Sequence, residues 1–341
     1  MNGTDRPDTA FDDDAPLTLA AKFRAASADD DLSRLSALRW TEAVDLRDVL
    51  ITLLEIYDLW MAPLQVVGAR AQHQNDPAVV QLKRHLEEAL RARLDSFLDA
   101  DADSDPSRLG EGLPAAAAMR RIAAVDLVPS VYEWLAEEAS FDELVEFVTL
   151  EGGPDAGFDD LVAVCQVGLR GLPKLALAAN YWDEMGRGEL DEVHTVLHDR
   201  LVAAVEMQHV AREDLPVEAL ERMALGGYLA TNRVLQPEML GALGLLEMQA
   251  GPRCRKVVHA LERLDAPAGA LPFYEEHARA DPLHGRDWLE RAVEPLDQES
   301  GWGERIVTGA RWRSSVNRRF FDAMARRFVD GDPSRLALSS S

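Results

Sequence analysis

Three side chains in the last quarter of the chain have the types and spacing that hold a metal ion. His277, Asp281 and His284 fall at i, i+4 and i+7 within the run from Phe273 to His284. On a helix these positions project from one face. Two imidazoles and a carboxylate on one stripe suit a transition metal. Alone, the stripe could equally be a solvated face. Upstream, Glu247 is the only acid in the apolar run from Met239 to Ala250, so it must be hydrogen bonded, protonated or metal-bound. Further back, Glu184 and His194 stand ten residues apart. On a continuous helix they would point roughly 80° apart. Gly186 and Gly188 lie between them and would allow a distortion that brings them together.

The elements that must position these residues read as helices. Apolar residues recur at helical spacing from near Thr41, and Pro63 ends that element. Further helices are expected over 77–98, 114–139, 158–184, 190–210, 215–226, 236–250, 252–264, 271–296 and 301–329. Ser140-Phe-Asp-Glu143 has the form of a capping box. Pro282 directly follows Asp281. It should kink or bulge the ligand helix, aiming Asp281 and His284 at a second ion, or else end it early. No alternating strand pattern and no fixed-period repeat is present. The fold class is all-α.

Together the pieces resemble the heme-oxygenase-like diiron oxidases and oxygenases, within them the group called iron-containing redox enzymes. The resemblance rests on Glu-x9-His, a later lone Glu and His-x3-Asp-x2-His. It is strengthened by Glu151-Gly-Gly-Pro-Asp-Ala-Gly-Phe158, Asn180-Tyr-Trp-Asp-Glu-Met-Gly186 and Phe273-Tyr-Glu-Glu-His277, and spans roughly 120–330. It implies a heme-oxygenase-like helical bundle with an N-terminal helical extension. It also implies two non-heme Fe2+ ions, dioxygen as co-substrate, and Glu184, His194, Glu247, His277, Asp281 and His284 as metal ligands. Glu247 is the expected bridging carboxylate. Glu151, Asp159 or Asp160 is the expected additional ligand, with nothing to choose between them. The implied activity is an iron-dependent oxidoreductase that activates dioxygen to oxidise a small organic substrate by N-oxygenation, desaturation or C–C cleavage. The alternatives are a metal-free helical interaction protein and a cofactor-independent enzyme on the same scaffold.

The expected organisation is a disordered acidic tail over 1–14, the helical extension over 15–113, the diiron domain over 114–330 and a flexible tail over 331–341. With 60 acidic against 36 basic residues the formal net charge is -24, which disfavours nucleic acid and anionic membranes as partners. Two cysteines exclude a disulfide scaffold. No apolar run approaches roughly 18 residues, so no membrane span is expected, and the compartment is expected to be cytoplasmic. A homodimer and an external reductant are allowed.

Some fragments read otherwise. The acidic run from Asp99 to Asp105 lacks the Gly and Glu of a calcium loop, with Ser104 and Gly110 in their places, and reads as a solvated linker. His194 and His198 lack the Glu of a zinc-protease helix. Tyr181, Trp182, Tyr274 and Trp288 read as core aromatics. Arg311 to Arg313 and Arg318-Arg319 read as a solvated face, and His73, His85, His198, His209 and His259 as surface or packing residues.

Overall fold

The computed structural model describes residues 18–29, 32, 35, 45–104, 110–152 and 157–329, with only the backbone described over 101–104. The two tails expected at the termini, the loop residue Asp105 and the centre of the Glu151–Phe158 motif lie outside the described residues. Among the described residues the chain is helical and carries no strand. The helices are α1 (Leu19–Ala28), α2 (Leu46–Met61), α3 (Leu64–Val67), α4 (Pro77–Ser104), α5 (Ala115–Val125), α6 (Ser130–Glu137), α7 (Phe141–Glu151) and α8 (Phe158–Cys165). They continue as α9 (Gly171–Glu184), α10 (His194–Ala204), α11 (Val217–Ala230), α12 (Gln236–Arg263), α13 (Leu271–Asp287), α14 (Glu294–Leu296) and α15 (Trp302–Phe328). The architecture is the all-α, heme-oxygenase-like bundle.

Local chemistry explains the boundaries. The Ser140 hydroxyl accepts the Glu143 N–H while the Glu143 carboxylate accepts the Ser140 N–H, so the capping box opens α7. The expected helix over 114–139 is instead two, because Asp126-Leu-Val-Pro129 interposes a turn and Pro129 caps α6. The expected helix over 158–184 is also two, divided where Gly168 and Gly171 take φ of 81° and 61°. The two expected helices over 236–264 form a single one, α12, which runs through Pro252. Helix α4 continues to Ser104, so the acidic run starts on a helix and not as a calcium loop.

Helix α12 is the axis of the site, packed between α13 and α15. Both contacts are made through glycine. A Cβ on Gly309 would lie 1.8 Å from the Glu238 carbonyl, which fixes the crossing with α15. Gly244, Glu247 and Gly251 fall at i, i+3 and i+7 on the α12 face that meets α13. A Cβ on Gly251 would meet the Pro282 ring at 2.8 Å, and one on Gly244 would meet the Trp288 indole at 2.5 Å. From the other side, a Cβ on Gly285 would sit 3.0 Å from the Met248 Cα and 3.1 Å from the Glu247 carbonyl. Glu247 is therefore a carboxylate clamped between two points of helix–helix contact.

Helix α13 does not stop at Pro282. It runs to Asp287 and loosens into a π-helical turn over Trp288–Val293. The N-terminal helices share one hydrophobic core with the rest, from Phe23 of α1 to Phe328 of α15. Trp312 and Arg313, expected on a solvated face, are buried in that core. Among the described residues no single helix is long and apolar enough to cross a membrane. A bent pair, Leu46–Met61 with Leu64–Asn75, has the length and composition, but Leu50, Leu53 and Ile56 of that pair are fully buried.

Candidate metal centre

Glu184 ends α9 and His194 begins α10. Between them Gly186, Arg187 and Gly188 all take positive φ, at 57°, 54° and 92°. Three left-handed residues in a row reverse the chain. The reversal is so tight that a Cβ on Gly186 would lie 2.5 Å from the Glu192 backbone. His194 is thereby folded back over Glu184, with Nδ1 2.7 Å from the Glu184 carboxylate. From α13, the His277 ring packs 4.5 Å from the His194 ring, centroid to centroid. Glu184, His194 and His277 form one group whose donor atoms lie within 4.8 Å of one another, and Glu184, Glu247 and His284 form a second under the same limit. Glu184 belongs to both. Asp281 completes the stripe, 3.7 Å from His284 Nδ1. All six residues expected to bind metal are thus brought together.

The neighbouring polar groups set which atoms remain for a metal. His277 Nδ1 donates to the Phe273 carbonyl at 2.7 Å, leaving Nε2. His284 Nε2 donates to Asp183 at 2.9 Å, leaving Nδ1 to face Glu247 at 3.4 Å. The Asn180 amide donates to Glu247 Oε1 at 2.7 Å, leaving Oε2. Asp183 and Asn180 have no role in the sequence reading. Their signal is position, since Asn180 stands one turn before Glu184 on the same face.

Five of the six residues are buried, and His277 is half-buried. Burial, only partly offset by the His277 charge, raises the Glu184 pKa to about 8. Burial likewise raises Asp281 to about 6. Desolvation alone would lower His284, but the carboxylates of Asp281, Glu247 and Asp183 outweigh it and push His284 up to about 11. Desolvation lowers His194. Without a metal, Glu184, Asp281 and His284 are therefore biased toward their protonated forms and His194 toward its neutral form. His194 Nε2, Glu247 Oε2 and Asp281 Oδ2 are buried with no hydrogen-bond partner, while Nδ1 of His194 and Nδ1 of His284 face only the carboxylates of the same cluster. Orphaned donor atoms of this kind cost free energy unless a cation satisfies them. Carboxylate and imidazole donors in a helical bundle fit iron.

Of the three candidates for an additional ligand, Glu151 accepts from the Tyr132 hydroxyl at 3.2 Å and faces Arg222, so its carboxylate is engaged. Asp160 is exposed. Asp159 is half-buried and near enough for its charge to raise the Glu184 pKa. Tyr274 and Trp288 are core aromatics, but Trp182 is 55% exposed and packs over Gly188 of the turn.

Two cavities flank the centre. A cavity of about 590 Å³ is lined by Asn180, Asp183 and His284 and rimmed by Arg187, Arg279 and Asp287. A cavity of about 360 Å³ is lined by His198, one turn along α10 from His194, with Val202 and Met207.

A fold of this kind around an iron-type donor set defines a class, and comparison with known proteins agrees. Residues 145–318 match the family described as "Iron-containing redox enzyme". The match covers half of the chain, and the chain belongs to that family, which makes it an oxidoreductase by kinship. Among curated proteins it is similar to a nitrosourea synthase from Streptomyces achromogenes subsp. streptozoticus, at 27% identity over 132 residues. That alignment takes in 37% of this chain and 28% of the relative, so the chain spans well under two thirds of the relative's length.

Proposed function

We propose that the chain is a non-heme diiron oxidase or oxygenase that uses dioxygen to oxidise a small organic substrate, with an external reductant as a further partner. The observation that carries this reading is the pair of ligand groups sharing Glu184, with orphaned donor atoms in both. Glu184, His194 and His277 would hold one ferrous ion, and Glu184, Glu247 and His284 the other, with Asp281 beside the second. Membership of both groups supports Glu184, and not Glu247, as the bridging carboxylate. Bound there, two ferrous ions supply the electrons and open coordination positions that activate dioxygen.

The chain's own residues do the rest. Asn180 and Asp183 orient Glu247 and His284. Phe273 fixes the His277 tautomer through its carbonyl. N-oxygenation, the chemistry suggested by the name of the nitrosourea synthase, stands beside desaturation and C–C cleavage as the reaction class.

The test is an anaerobic Fe2+ titration followed calorimetrically at pH 7 in buffers of different ionisation enthalpy. Binding should saturate at two ions per chain. It should release the protons held by Glu184, at a pKa of about 8, and by His284, at about 11. Ligands must lose protons to bind, so affinity should fall as pH drops below about 11, where His284 takes up its proton, and more steeply below about 8, where Glu184 does. No stoichiometric binding would return the metal-free alternatives.

A further inference from the structure

The smaller cavity is built from the continuation of two ligand-bearing helix faces. On α10, His194, His198 and Val202 fall at i, i+4 and i+8, so one stripe runs from the metal centre into the cavity wall. On α13, Phe273 stands one turn before His277. Its ring lies 4.4 Å from the His277 ring and 5.2 Å from the His198 ring, centroid to centroid. Phe273 thus links the His277 ring to the His198 ring of the cavity wall.

The chemistry of the wall restricts the occupant. Val202, Met207, Val210, Leu215 and Met223 make it mainly apolar. Thr149 lines it, but its hydroxyl is committed to the Val145 carbonyl at 2.7 Å. Arg212 lines it, but the guanidinium is held by both oxygens of Asp58 at 2.7 and 3.0 Å. No unpaired charge therefore faces the cavity from these residues. Gln208 and His209 line only the exposed mouth, and His198 is the one deeper polar side chain left without a partner. Its ring lines the cavity and its Nε2 is buried with no hydrogen-bond partner. Mainly apolar cavities of a few hundred Å³ with one or two polar groups are how small molecules are held.

We infer that this cavity binds an uncharged, mainly apolar small molecule carrying one hydrogen-bonding group, which the His198 imidazole engages. Desolvation lowers the His198 pKa, keeping the ring neutral and able to donate and accept. A carboxylate or an ammonium group would find no unpaired counter-charge in the deeper wall around His198 and is disfavoured there. That the molecule is the one oxidised rests on the proposed function. The binding itself does not.

The test uses the iron-free full chain, so that failure of iron binding and failure of this site are read separately. 1-Hexanol is titrated calorimetrically, with hexanoate and hexylammonium as charged counterparts. The expected result is saturable binding of 1-hexanol at one per chain, at least tenfold tighter than either ion. His198→Phe should weaken it about tenfold. Met207→Trp and Met223→Trp, which fill the cavity from two sides, should abolish it with melting temperature preserved in at least one. Leu283→Trp, in the other cavity, should leave it unchanged. Absence of saturable binding, equal binding of the charged counterparts, or binding insensitive to a folded filling variant would overturn the inference.

Discussion

The Glu184/His194/His277 group is assembled across a chain reversal, whereas Glu247 and His284 are brought together by two helices in contact through glycine. In the first, the reversal at Gly186-Arg187-Gly188 carries a non-glycine residue at φ 54°. Its side chain reaches Asp183 at 3.4 Å, Glu192 at 3.0 Å and Glu276 at 3.4 Å, tying together the three segments around the group. Arg187 is 40% exposed, and such ion pairs each contribute about 0–1 kcal/mol. In the second, Gly251 admits the Pro282 ring and Gly285 the α12 backbone, contacts that leave no room for a side chain. Forcing extra atoms into such packing costs about 1–3 kcal/mol. The helix side is held by close helix–helix packing and the turn side by exposed ion pairs, with Glu184 belonging to both groups.

The largest effect should come from the shared residue. Glu184→Ala removes a donor from both groups, so iron content should fall from two per chain toward none. His277→Ala and Glu247→Ala should each retain one iron. Retention of both irons by Glu184→Ala, measured by metal analysis after gel filtration, would dissolve the distinction between shared and unshared ligands.

Smaller effects should separate the halves. Gly285→Val places a Cβ about 3 Å from the α12 backbone. It should destabilise the protein by about 1–3 kcal/mol in denaturant titration and cost the Glu247/His284 iron. Arg187→Gly removes a left-handed strain of about 1–2 kcal/mol along with its exposed ion pairs. It should leave the melting temperature unchanged or slightly higher while weakening the iron held by His194 and His277. A drop in both stability and iron affinity would show that Arg187 supports the fold and not the turn geometry.

What was legible in the sequence was periodic or compositional. The helical pattern, the Ser140–Glu143 capping box and the face shared by His277, Asp281 and His284 follow from spacing alone. Glu247 stood out as a single acid in an apolar run. What was not legible depends on backbone hand or on a neighbour far away in sequence. That Arg187 joins Gly186 and Gly188 in the left-handed region is a property of the closed turn, and it is what brings Glu184 to His194. Asp183 and Asn180 look like ordinary helix polar residues until α13 and α12 supply His284 and Glu247. Pro282 gave two opposite expectations from its chemistry, a distorted helix or an early end. The helix continues through Pro282, and its ring fits against Gly251 across the interface.

The most direct measurement is anomalous diffraction at the iron absorption edge from crystals of the iron-loaded protein. The expected result is two peaks, one among Glu184, His194 and His277 and the other among Glu184, Glu247 and His284, with the Glu184 carboxylate touching both. A single peak, or two peaks joined by Glu247 with Glu184 on only one of them, would contradict a centre built around Glu184.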